Sequence, residues 1–129
     1  MYGFSTRLEG SFDSIVGRVT DELKKEGFGI LVSIDVKKTL AEKLGVDRKP
    51  YTILGACNPA LAHRAIELEP DIGLLLPCNV LVREEDSGTV VVAFMDPAAV
   101  LELVQNDEVS TVAEDVRARL ERVRDALTR

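Results

Sequence analysis

The chain has no tryptophan, two tyrosines, four phenylalanines, one histidine and two cysteines among its 129 residues. Each scarcity removes a class of function. With aromatics at 5% there is little material for the stacking platforms that hold single-stranded nucleic acid. Positive charge is also short: 16 Lys and Arg stand against 22 Asp and Glu, a formal net charge of −6. Such a surface disfavours nucleic acid and anionic membranes alike. One histidine restricts acid–base and metal chemistry, and two thiolates are too few for a structural zinc site, which takes four protein ligands. The apolar runs, Ile72–Leu76 among them, fall far short of the ~20 residues of a membrane span. The start, Met1 to Arg7, lacks a basic region followed by an apolar block, so the expected location is the cytoplasm, where both cysteines stay reduced.

What is present is an ordinary globular composition, 46% hydrophobic and 29% charged, long enough for one core and one domain over residues 1–129. Residues 2–9 alternate as a half-buried strand. Ser11 then caps a helix with Phe12, Ile15, Val16, Val19 and Leu23 at helical spacing, stopped at Gly27. Ile30, Val32, Ile34 and Val36 mark one face of a second strand, with Ser33 and Asp35 on the other. A short helix follows to Leu44 and Gly45. Tyr51–Cys57 reads as a third strand, and Asn58–Glu69 as a helix with Leu61, Ala62, Ala65 and Ile66 on its apolar face. Ile72–Arg83 reads as strand-like. Pro77 cannot donate to a ladder, which predicts an edge or a bulge there. Thr89–Met95 is a returning strand, and Asp96-Pro97 opens a helix to about Val104. Val109, Val112, Val116, Leu120, Val123 and Leu127 form the apolar seam of a last helix, expected to pack on the domain's own sheet rather than as a coiled coil. The order predicts a two-layer α/β sandwich: a mixed sheet of about five strands with helices packed against it.

The residues closest to chemistry are Cys57-Asn58-Pro59 and Pro77-Cys78-Asn79. Asn is a strong N-cap and Pro suits the first helical position, so Cys57 is predicted to stand just before a helix N-terminus, where the dipole favours a thiolate. The competing reading is a small buried residue, the usual fate of a free cysteine. The spacing to Cys78 is not Cys-x-x-Cys. His63 lies one residue off the apolar stripe and reads as solvated. Asp96 is explained by capping. No phosphate loop, nucleophile elbow, zinc helix or dinucleotide fingerprint is present, so no cofactor is implied. The candidate site is therefore Cys57, Asn58, Cys78, Asn79 and His63, without a complete catalytic set.

Leu54-Gly55-Ala56-Cys57-Asn58-Pro59, then Ala62-His63-Arg64-Ala65 and Leu76-Pro77-Cys78-Asn79-Val80, resemble the domain-of-unknown-function 302 family of small bacterial and archaeal proteins. Gly27-Phe28-Gly29, the Leu40–Gly45 stretch and Asp96-Pro97 fit the same pattern over nearly the whole chain. The resemblance implies a compact α/β domain able to assemble as a homodimer, with Cys57 and Cys78 as hallmark thiols. It implies no reaction. A dimeric small-ligand-binding or assembly module ranks above an enzyme, because one His and two Cys do not supply acid, base and nucleophile. The alternative is a thiol protein using Cys57 and Cys78 for redox, sulfur handling or soft-metal capture.

Overall fold

A computed structural model describes residues 1–129. Five strands, β1 (Gly3–Leu8), β2 (Gly29–Asp35), β3 (Tyr51–Cys57), β4 (Cys78–Glu84) and β5 (Val90–Met95), form one sheet in the order β1-β5-β4-β3-β2. Five α-helices accompany them: α1 (Phe12–Lys25), α2 (Val36–Leu44), α3 (Pro59–Leu68), α4 (Pro97–Leu101) and α5 (Asp107–Leu127). Tight 3-10 turns cover Pro70–Leu75 and Glu102–Val104.

The two-layer α/β sandwich is present, but the sheet is not mixed. All four neighbouring pairs are antiparallel. The strand–helix–strand order suggested parallel crossovers, yet β1 and β2, which flank α1, end at opposite edges. Helices α2 and α3 instead join strands that are antiparallel neighbours.

Most helix boundaries are set by local caps. Ser11, Asp35, Asn58, Asp96 and Asn106 each accept a hydrogen bond from a first-turn backbone N–H, satisfying donors that the helix cannot. Asn106 caps α5, which therefore starts at Asp107, two residues before the expected Val109. Gly45 closes α2 in the left-handed conformation, at φ 65°.

The core lies between one sheet face and the helices, in a single apolar cluster. Val80, Val82, Val90, Val92 and Phe94 from the central strands meet Ile15, Val19 and Leu23 of α1 and the seam of α5. That seam, Val109 through Leu127, is buried inside its own subunit. Salt bridges add ties at the margin, such as Arg117 of α5 to Asp96 at the start of α4, 3.4 Å apart.

Two strand readings are corrected. The segment before Cys78 is a 3-10 turn, and the strand that follows is central, so Pro77 marks neither an edge nor a bulge but the entry to β4. In β2, the register shifts between Ile30 and Val32. The extra residue, Leu31, inverts the alternation: Ile30 stays on the core side opposite Ala56, while Val32 and Ile34 pair with Gly55 and Ile53 on the other face. The expected common face of Ile30, Val32 and Ile34 is thereby split.

That second face carries no packed helix seam. Its middle row runs Ser5, Ala93, Leu81, Ile53, Ile34 across all five strands. The adjacent row is closed by charge: Arg7 and Arg83 flank Val91, and both pair with Glu85. No helix is long and apolar enough to cross a membrane.

Candidate functional site

Strand β3 ends at Cys57 and β4 begins at Cys78, and between them the chain leaves the sheet through α3 and the 70–75 turn. In the ladder Ala56 lies directly opposite Cys78, so the two cysteines flank one end of the sheet from adjacent strands. Under this excursion is a cavity of about 350 Å³ that both cysteines line. Its roof is α3, through Leu61, Ala62, Ala65 and Ile66. Its far side is built by Leu101 of α4 and by Val112 and Val116 of α5.

Small residues make the space. Ala56, Ala62, Ala65 and Gly73 stand where larger side chains would fill the gap between helix and sheet. Protein interiors are close-packed, and an apolar void costs stability through lost contacts. The rim is marked by Leu31 and Ile66, wall residues that are 68% and 45% exposed. Leu31 reaches it because of the β2 bulge. Neither that bulge nor the folding of α3 back over the strand ends leaves a sequence signal beyond the apolar face of α3.

The polar chemistry of the cavity is sparse. Asn58 is its only amide side chain, and both ends of that amide are engaged. The Oδ1 atom accepts from Leu61 N at 3.3 Å, capping α3, and Nδ2 donates to Glu26 O at 3.3 Å. Gly27 sits against the same group: a Cβ there would lie 2.9 Å from Asn58 Nδ2, and its φ of +87° is itself a glycine conformation.

Both thiols are free. Cys78 is buried, and burial, with a smaller contribution from Cys57, pushes its pKa up to about 11. Burial also raises the pKa of Cys57. The helix N-terminus stands where it was predicted, and burial acts there against the expected acidification of Cys57 by favouring the neutral thiol.

The other two candidate residues lie elsewhere. Asn79 follows Cys78 by one position, so strand alternation turns it to the opposite sheet face, where it is exposed. His63 is on the outside of α3, its side chain 75% exposed and 3.8 Å from Glu67. The structure brings together Cys57, Asn58 and Cys78, and leaves Asn79 and His63 outside the cavity. No cluster of three or more His, Cys, Asp or Glu side chains is arranged to hold a metal ion.

A five-stranded antiparallel sheet with one helical layer and two thiols at adjacent strand ends defines a small two-layer α/β domain. The chain matches the family described as Domain of unknown function DUF302 over residues 4–127, and it belongs to that family. Among solved structures it is similar to the one described as "Crystal structure of uncharacterized conserved protein DUF302 from Bacillus stearothermophilus". The two share 29% sequence identity over 97% of each chain, with a TM-score of 0.89. No curated protein matches the chain.

Proposed function

We propose that this protein is a small-molecule binding module whose site is the cavity beneath α3. The observation that carries the reading is a void of about 350 Å³, within the size range of ligand pockets and walled by three helices and the 70–75 turn as well as the sheet end. The thiol alternative loses its main support, because a neutral sulfur is a poor nucleophile and a poor metal ligand.

Titration with prodan, an uncharged two-ring naphthalene dye that brightens in apolar sites, tests this. Saturable binding at one site per chain is expected, weakened by Ala62→Leu in the cavity roof and unchanged by Ala41→Leu on the exposed face of α2. Binding indifferent to Ala62→Leu would remove the cavity from consideration.

The reading includes a second copy of the chain as partner. Neither the α5 seam, which is internal, nor Pro77, which is not at a sheet edge, offers a contact to a second copy. The support lies on the other sheet face. Two copies of net charge −6 repel, and the row from Ser5 to Ile34 is an uncharged stretch across which they can meet without opposing charges. Sedimentation at micromolar concentration is expected to give twice the chain mass, and Leu81→Lys the single-chain mass. A single-chain species for both would refute the dimer.

A further inference from the structure

We propose that the ligand is an uncharged, apolar molecule, held by shape and burial rather than by any ion pair or side-chain hydrogen bond inside the cavity. This rests on the cavity being the binding site, and it adds the chemical class of what enters.

Three observations converge. No Asp, Glu, Lys, Arg or His lines the cavity, and its walls are almost entirely carbon. The one amide, Asn58, is fixed by donating one N–H to Glu26 O and accepting from Leu61 N, and almost none of its polar surface reaches the cavity. The remaining side-chain heteroatoms are the two thiols, which are soft, polarisable and neutral as burial holds them. A carboxylate, phosphate or ammonium placed there would lose its water and find no counter-charge.

Volume narrows the class. An apolar cavity of ~150 Å³ suffices for one benzene. The present cavity, about 350 Å³, has roughly twice that capacity, the scale of a ten-carbon chain or a fused two-ring hydrocarbon. A hydroxyl on such a molecule fits at the rim, beside Leu31 and Ile66, where an ionised group would still give up part of its water to two apolar side chains with no counter-charge.

The experiment is displacement of bound prodan at pH 7.5 by 1-decanol below its solubility limit and by decanoate below its micelle concentration. The two have the same chain and differ in charge, since decanoate is ionised at that pH. Decanol is expected to displace the dye, and decanoate to need at least about tenfold more, because its carboxylate is desolvated without a partner. Ile66→Lys, at an exposed rim position that a folded chain tolerates, is expected to narrow or reverse that preference. Equal displacement by both ligands, still sensitive to Ala62→Leu, would overturn the uncharged class and leave the site standing. Loss of the preference without any response to Ala62→Leu or Ile66→Lys would overturn the site and the ligand class together.

Discussion

Alkaline pH is the perturbation that probes the buried thiol most directly. Cys78 is only 7% exposed, and its pKa is pushed up to about 11, first by burial and then by Cys57. In the unfolded chain the same thiol titrates near 8.5. Between those two values the unfolded chain has released a proton that the folded chain still holds, so raising the pH favours unfolding. The stability that the neutral thiol supports is complete below about pH 8.5 and is lost as the pH climbs towards 11. From pH 7 to about 9.5 the loss is roughly 1.4 kcal/mol. Other groups also respond to alkaline pH, so the useful quantity is a difference. Urea unfolding of the wild type and Cys78→Ala, under reductant at about pH 7, 8.5 and 9.5, supplies it. At neutral pH the variant is expected to be less stable by about 1 kcal/mol for the missing sulfur. By about pH 9.5 that gap should close or change sign, since only the wild type bears the ionisation penalty. Parallel stability curves would refute the reasoning. Cys78 would then ionise as easily folded as unfolded, which requires water at the cavity wall.

Two further substitutions test how the cavity is framed. Asn58→Ala removes a cap and a tie to Glu26 at once, and should cost about 1–2 kcal/mol in denaturant unfolding, more than Asp35→Ala at the exposed start of α2. Gly55→Ala adds a Cβ 2.7 Å from Val32 Cγ1 and 3.0 Å from Pro77 Cγ, so β2 or the β4 entry must move. A loss of about 1–3 kcal/mol is expected in thermal unfolding, and an unchanged Tm would mean that the Pro77 turn yields freely.

What was legible in the sequence follows how local each signal is. Ser11, Asn58 and Asp96 announce helix starts because a cap involves only the next few residues, and all three do cap, as does Asp35, which reads in the sequence only as a strand residue. Strand adjacency carries no comparable mark: nothing in residues 2–9 says that their partner is residues 90–95. Ile72–Leu76 read as strand because a short apolar run looks alike in a strand and in a tight turn. The alternation of Ile30, Val32 and Ile34 was real in the sequence, but one bulged residue re-aimed it. At the site, Leu61, Ala62, Ala65 and Ile66 were legible as one apolar face. That this face covers a void depends on α4 and α5, whose arrival is set by the whole fold. Dipole reasoning placed Cys57 correctly, but the burial that opposes its acidification was not legible, because burial is a property of the tertiary structure.

The backbone carbonyl of Glu26 receives Asn58 Nδ2 at 3.3 Å and Arg119 Nη1 at 3.1 Å, while its carboxylate takes Arg122. One residue thus fastens the end of α1, the first turn of α3 and the middle of α5. The joint behaves like a shared rivet: fraying at any of the three sites loosens the other two. Amide protons there should exchange with solvent as one cooperative unit rather than as three independent helix ends. The cavity roof hangs from that rivet. Lifting of the roof is then tied to a joint 32 residues away in the chain from the asparagine that anchors it.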